Sequence, residues 1–583
     1  MDQQARVLQQ ERIANRPKHW VRLVTACNNK CLFCLDMDTP RNVYLPREDI
    51  EAEIRRGREE LGATKVILSG GEASVHPLFP ELIRFALDLG YERVQTVTNG
   101  LRYGDRKFFE SVMEAGLGEI TFSLHGHTAK LHDHLVQTPG SFDKLMKGLL
   151  RAVRHRNRHG WPIVNIDVVI NKQNVGVLDR IVELGVSVGI KEYDLLHVIP
   201  QAEAYRNRDE LFYDVREHLP VLQKVFRLNR RPDFHIWTNR FPVAWLEGLE
   251  DLVQDPHKMI DEVRGRRYHV RRYIDAGTPL ECREPDRCTH CFIEPFCTTM
   301  ERTIEAQNAQ TVDLWHVGEG SWEGPLPFGA SRLGLQRAGV EDLPEHPILL
   351  ETEGVELPDH PDAVLVAKTR EQCEAFAGQP MVVFLNRDTA PWIAENANDL
   401  ANLRIHQPTW ERTEQALAHD LEDPAAFFAG LPGPVAVSGL TACQAPGMQL
   451  VPTPTRLDAA LFDEGRLQWK PLAADHVERH YRAKSVRCED CPVTASCEGL
   501  HIHTLRSQGL KRCRPLTGDW AQEARRQLAD RPTPRRIADG LEPQPVAESL
   551  PGFAPPEAPP EDPLRQKNGL RRSDFLRAGR EVT

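Results

Sequence analysis

Residues 65–72 read Lys-Val-Ile-Leu-Ser-Gly-Gly-Glu. A short apolar, β-branched run that stops at glycines is the pattern of a buried strand in a parallel sheet. Working outward from it, strand-like and helix-like runs alternate from residue 19 to about residue 200. Strands are expected at Trp20–Thr25, Val66–Ser69, Val94–Thr98, Ile120–Leu124, Val164–Ile170 and Tyr193–Val198. Amphipathic helices are expected between them, among them Phe79–Leu89, Lys107–Ala115, Phe142–Arg158 and Val177–Leu184. The alternation predicts βαβ units and a parallel sheet, hence an α/β fold. Ligands of such sheets sit beyond the carboxyl ends of the strands, so whatever follows a strand shares one mouth.

Three cysteines follow the first strand, in Ala26-Cys27-Asn-Asn-Lys-Cys31-Leu-Phe-Cys34. A C-x3-C-x2-C triplet supplies three thiolates, one short of the four that close a cubane iron–sulfur cluster. An open iron can bind a small molecule and do chemistry, whereas a closed one stores or moves an electron. Zinc prefers four protein ligands in structural sites, so a lone triplet suits it poorly. Gly70-Gly71-Glu72 ends the second strand, and glycine lets backbone approach a neighbour closely. Thr98-Asn99-Gly100, Ser123-Leu124-His125-Gly126 and Asn171 end the next three.

The triplet with the Gly-Gly-Glu run downstream resembles the radical S-adenosylmethionine (SAM) family. The resemblance implies a partial (β/α)6 radical SAM barrel over residues 19–204. It implies a catalytic [4Fe–4S] cluster on Cys27, Cys31 and Cys34, with SAM on the open iron and cleaved to a 5′-deoxyadenosyl radical. It also implies cofactor contacts from Phe33 to the adenine, from Gly70, Gly71 and Glu72 to the methionine ammonium, and from Ser123 and Asn171 to the ribose and carboxylate. Ser123 and Asn171 read equally well as turn or capping residues, and Phe33 as an ordinary packed side chain. His125, His127, His132 and His134 read as substrate-side or structural residues rather than a second metal site.

The chain has 583 residues and a formal net charge of −11. That length implies more than one domain, and the acidic balance argues against broad nucleic-acid binding. No apolar run approaches the ~18–20 residues of a membrane helix, and the polar start Met-Asp-Gln-Gln-Ala-Arg lacks a signal-peptide core. A cytoplasmic location without a membrane partner is the expectation. In a reducing compartment, clustered cysteines read as metal ligands.

Of thirteen cysteines, eight more form two groups: Cys282, Cys288, Cys291 and Cys297, then Cys488, Cys491, Cys497 and Cys513. Both contain C-x2-C-x5-C, an internal repeat about 200 residues apart. Four thiolates match a closed [4Fe–4S] cluster and equally a structural zinc site. The repeat resembles the SPASM and twitch auxiliary-cluster segments that follow many radical SAM cores, which implies two auxiliary [4Fe–4S] clusters. Gly277, in a G-x4-C arrangement before Cys282, adds to that likeness. The sequence departs from the full pattern, with Glu301 and His501 at the last cysteine position, so each group closes locally or exchanges a ligand such as His501. Cys373 and Cys443 stand outside the groups and read as buried apolar residues.

The expected organisation is an extension (1–18), the radical SAM core (19–204), a helical extension with the first auxiliary group (205–301), an α/β accessory domain (302–480), the second group (481–530) and a disordered Pro/Arg-rich tail (531–583). The basic run Arg264, Arg266, Arg267, Arg271 and Arg272 reads as a solvated helix face. Accessory strands are expected at Ala363–Ala367, Met381–Leu385 and Pro434–Ser438, with helices at Glu395–Leu403 and Thr413–Ala418. The terminal stretch Leu564–Arg580 is basic and suited to folding on a partner.

Auxiliary clusters of this type usually accompany peptide or protein modification in that family. The expected activity is hydrogen abstraction from, and oxidation of, a peptide or protein side chain, with a flavodoxin or ferredoxin as reductant. The alternatives are modification of RNA or of a cofactor precursor, and a non-catalytic iron–sulfur or zinc scaffold.

Overall fold

A computed structural model describes residues 3–36, 42–396 and 403–529. The tail expected from residue 531, including Leu564–Arg580, lies outside the described residues, as does the 397–402 part of the helix expected at Glu395–Leu403.

The first sheet is built from β1 (Lys18–Val24), β2 (Lys65–Gly70), β3 (Arg93–Thr98), β4 (Glu119–Ser123), β5 (Ile163–Ile170), β6 (Glu192–His197) and β7 (His235–Asn239). Strand order follows chain order, and every pair is parallel. Helices such as Phe79–Asp88, Arg106–Glu114, Ser141–His159 and Leu178–Ser187 make the crossovers. This is a curled parallel half-barrel of the α/β class. The six strands expected from the sequence are present, and a seventh joins them. β7 lies inside residues 205–301, the stretch read as a helical extension. Its five residues, His-Ile-Trp-Thr-Asn, sit among short helical turns and carry little periodic signal.

Alternation along the strands assigns the two faces. Val21, Leu23, Val66, Leu68, Val94, Ile120, Phe122, Val164, Ile166, Val168, Tyr193, Leu195 and Ile236 are buried beneath the helices. Each such aliphatic side chain contributes roughly 1.5–3 kcal/mol of burial. The opposite, concave face is polar and hydrogen-bonded across strands. Lys65 Nζ donates to Glu119 at 3.1 Å, Asn165 Nδ2 to the same carboxylate at 3.2 Å, and Gln95 Nε2 to Thr121 at 3.1 Å. Ser123 Oγ donates to Asp167 at 2.7 Å and Trp237 Nε1 to Glu192 at 3.0 Å. The strands are therefore not apolar on both sides, as the run at residues 65–72 suggests; the sheet encloses a polar lumen.

The second sheet also runs parallel throughout. Its strands are β8 (Leu314–His316), β9 (Arg332–Arg337), β10 (Ile348–Thr352), β11 (Ala363–Ala367), β12 (Met381–Phe384), β13 (Arg404–His406), β14 (Ala436–Ser438), β15 (Gln449–Leu450) and β16 (Arg456–Asp458). The order is β15-β14-β13-β12-β11-β10-β9-β8-β16. The three expected accessory strands correspond to β11, β12 and β14. Several of the others have only two or three residues, too few to show a period.

The amino-terminal helix Gln3–Ala14 ties distant parts together. Arg6 pairs with Asp251 at 3.1 Å, and Glu11 meets the buried Arg506 at 3.4 Å. No helix among the described residues is long and apolar enough to cross a membrane.

Candidate functional site

The cysteine loop leaves the end of β1 and is fastened at several points. Lys30 N donates to Val136 O and Leu32 N to Leu135 O, both at 3.0 Å. Asn207 Nδ2 donates to Leu32 O at 2.9 Å, and Glu203 N to Cys34 O at 3.2 Å. The Gly-Gly-Glu turn is pinned beside it: Gly71 N donates to Val24 O at 2.8 Å and Glu72 N to Ala26 O at 2.9 Å. Both glycines are required by this approach. A Cβ on Gly70, which has a φ of +143°, would stand 2.2 Å from Val24 O; one on Gly71 would stand 2.4 Å from Ala26 O. The glycines thus admit the cysteine loop itself.

Glu72 is buried, and its carboxylate already has four donors. One oxygen accepts from Ser74 N at 3.1 Å, Ser74 Oγ at 2.5 Å and Thr98 Oγ1 at 2.8 Å; the other accepts from Asn99 N at 2.8 Å. Burial raises its pKa against the pull of these donors. The group ties the ends of β1, β2 and β3 into one rigid corner.

Cys27, Cys31 and Cys34 stand at that corner, Cys27 exposed and the other two half-buried. Burial pushes the Cys27 thiol up to about 11. It pushes Cys31 well above its ordinary range, with the charges of Cys27 and Cys34 adding to the effect. Cys27 and Cys31 thiols that resist ionising beside a third thiol suit a bound cationic centre, which would remove that cost. The donor set therefore fits the cluster that the sequence motif implies. No three His, Cys, Asp or Glu side chains among the described residues are closed around a single-ion position; the thiols face one another at electrostatic range.

The other expected contacts fall around this corner. Phe33 is buried edge-on to His125, with ring centroids 4.7 Å apart. The Asn171 amide makes the turn after β5, donating to Val169 O at 2.9 Å and accepting from Gln173 N at 3.0 Å. His125 and His132 are buried and stacked, and His125 Nδ1 accepts from Val169 N at 3.2 Å. Ser123 faces the lumen on Asp167. Asp167 was missed by sequence reasoning. Burial raises its pKa to about 7. The signal was present in Asn165-Ile-Asp-Val, where polar residues alternate with apolar ones on an otherwise apolar strand.

The first auxiliary group gathers beside the mouth. The charges of Cys282, Cys288, Cys291 and Cys297 act on one another, and burial raises the first, second and fourth. Arg283 lies buried against Cys288 and Cys297 and is paired with Glu301. Glu301, found where the resemblance expects a cysteine, is thus an arginine's counter-ion in this structure. Arg266 Nη1, in the basic run, lies 3.6 Å from Cys291 Sγ, so that run is not wholly a solvated face. Residues 200–207 bridge this group to the cysteine loop. Arg287 Nε donates to Pro200 O at 2.8 Å, Tyr205 OH donates to Glu284 at 2.6 Å, and Glu203 N holds Cys34 O.

The second group gathers too. Cys488 packs against the apolar cluster that holds Cys513, and the two thiols interact closely enough to lower the Cys488 pKa. Burial raises Cys497 to about 11. Cys443 lines a single cavity with Cys488, Cys491 and Cys497, so it is not the isolated apolar residue expected. His501 lies elsewhere: its Nε2 bonds to Val477 O at 3.2 Å, and it does not line that cavity. Cys373 is fully buried in the accessory core, as expected.

A parallel half-barrel with a three-thiol loop at its mouth, locked to a Gly-Gly-Glu corner, is the arrangement that the radical SAM resemblance implies. Residues 21–185 match the family model described as Radical SAM superfamily, so this segment of the chain is similar to that superfamily. A protein named probable GTP 3′,8-cyclase from Saccharolobus solfataricus is 28% identical over 220 residues, 37% of this chain and 68% of the relative. One of the same name from Sulfurisphaera tokodaii is 26% identical over 208 residues, 36% of this chain and 62% of the relative. The chain thus spans about two thirds of the length of these curated relatives. Among solved structures, SuiB of Streptococcus suis bound to S-adenosylmethionine is similar over 38% of this chain and 50% of its own, with 19% identity and a TM-score of 0.31.

Proposed function

We propose that this radical SAM enzyme oxidatively modifies a side chain of a peptide or protein, drawing electrons from a flavodoxin- or ferredoxin-type donor in the cytoplasm. Cys27, Cys31 and Cys34 would hold the core cluster, and the backbone of Gly70–Glu72 with Ser123 would border its SAM. Bound there, cluster and SAM supply one-electron cleavage to a 5′-deoxyadenosyl radical, the hydrogen-abstracting agent. The protein's own part is positional. Glu72 fixes the corner, the polar lumen orients the substrate, and Asp167 can hold or release a proton near neutral pH. The observation that carries the peptide reading is the pair of gathered four-cysteine segments, the first joined to Cys34 by residues 200–207. Such segments suit auxiliary [4Fe–4S] centres that take up the electron left on an oxidised substrate.

A second reading, modification of a cofactor precursor, is favoured by the name shared by the curated relatives. The two are separated by anaerobic reconstitution of the full chain and assay with SAM and dithionite. Release of 5′-deoxyadenosine is expected, and Cys31→Ala abolishes it. A small peptide encoded beside the gene should lose two hydrogens by mass. Turnover of GTP with no change in any such peptide overturns the peptide reading in favour of the second. No 5′-deoxyadenosine from the iron-loaded protein overturns both.

A further inference from the structure

The second thiol group contains five sulfurs. The cysteine spacing assigns it Cys488, Cys491, Cys497 and Cys513; the cavity they surround is lined instead by Cys443, Cys488, Cys491 and Cys497. We propose that Cys443 is the fourth thiolate ligand of this centre and that Cys513, packed in a separate apolar cluster, is not. The inference deepens the reading of auxiliary metal centres above and rests on it for the existence of a second centre.

Three observations converge. The first is the position of Cys443. It sits in the turn after β14, where Gln444 N donates to Thr441 O at 2.9 Å and Thr441 Oγ1 lies 3.2 Å from the Cys443 sulfur. Trp520 Nε1, on the carboxy-terminal helix Gly518–Leu528, donates to Ala442 O at 2.9 Å. The turn is therefore clamped from both sides, and its thiol reaches Arg512 O at 3.9 Å. The second is the place of Cys513. It is buried with Leu500, Leu505 and Leu510, and it does not line the cavity.

The third is charge. Four thiolates carry four negative charges. A [4Fe–4S]2+ core or a Zn2+ ion leaves two of them uncompensated. Lys484 and Arg514 line the same cavity and bring positive charge to it, Arg514 also pairing with Asp423 at 3.0 Å. The centre would also be a staple. Cys443 belongs to the accessory sheet and the other three ligands to the carboxy-terminal segment, so metal binding would hold those two parts together.

The test is metal stoichiometry on the full chain, reconstituted anaerobically and assayed for iron, sulfide and zinc, with circular dichroism to confirm folding. Cys443→Ser and Cys488→Ser should each lose the same increment: about a third of the iron if three clusters form, or one zinc if the centre is zinc. Cys513→Ser should keep all of its metal. If Cys443→Ser keeps all of its metal while Cys488→Ser and Cys513→Ser lose the increment, the proposal falls and the second centre stands. If Cys488→Ser loses nothing, the centre itself is absent and the proposal falls with it. Alkylation of the unmodified chain gives an independent readout. Cys443 should be protected when metal is bound and become reactive after chelation. Equal labelling in both states overturns the assignment.

Discussion

Glu72→Gln separates a structural role for the Gly-Gly-Glu carboxylate from a purely ligand-binding one. The substitution keeps size and shape and removes the charge. With the amide oxygen turned toward Ser74 and Thr98, three of the four contacts survive in weakened form. The amide nitrogen must then face Asn99 N, a donor at 2.8 Å from its present acceptor. Two N–H groups would be opposed in a buried corner. One charge-assisted bond is lost, worth roughly 1.5–3 kcal/mol, and an unsatisfied buried donor adds about 1–3 kcal/mol. Relaxation recovers part of this, so a loss of about 3 kcal/mol is expected. The assay is urea unfolding of the metal-free chain, followed by a probe in the half-barrel such as hydrogen exchange of β2 and β3. The midpoint should fall with the slope unchanged. A metal-free Glu72→Gln protein within about 0.5 kcal/mol of the parent, the ordinary range of surface substitutions, would refute the corner as described. The carboxylate would then matter only once a ligand arrives.

Gly71→Ala places a methyl group 2.4 Å from a backbone carbonyl oxygen that no side-chain rotation can relieve. A loss of about 3 kcal/mol is expected in the same unfolding assay, with lower iron uptake on the core site. Asp167 has a folded pKa near 7 against an ordinary value of 3.8. The native state therefore holds a proton that the unfolded chain releases above pH ~4. Stability from this group is full below that pH and falls as pH rises toward 7, by up to roughly 4 kcal/mol. Asp167→Asn should flatten that part of the stability–pH curve of the metal-free protein; an unchanged curve would exclude a buried, protonated Asp167. Glu301→Gln leaves the Arg283 guanidinium buried without its partner, at a cost of about 3–5 kcal/mol in the metal-free state. The cost should shrink once metal-bound thiolates of the first group face that arginine, a difference readable as two thermal midpoints.

The parts of the site that lie close together in the chain were legible in advance. Cys27, Cys31 and Cys34 fall within eight residues, and Gly70–Glu72 directly follow a strand. The roles of the second set of residues were not legible. Glu72 reads as a ligand carboxylate, and only the fold shows that Ser74, Thr98 and Asn99 also hold it. Glu301 reads as a missing cysteine until Arg283 is found beside it. Cys443 reads as a stray apolar residue because 45 residues separate it from Cys488.

Local order in the chain was enough for the α/β class, the six expected strands and the thiol triplet. Hydrophobic period and ligand spacing are properties of neighbours in sequence, and the covalent chain imposes them whatever the rest of the molecule does. The tertiary structure alone decided the seventh strand, the polar lumen with Asp167 and the cavity that Cys443 shares with Cys488, Cys491 and Cys497. Burial, pairing and the gathering of sulfurs depend on segments far apart in the chain returning to one place, and no short window of sequence records that return.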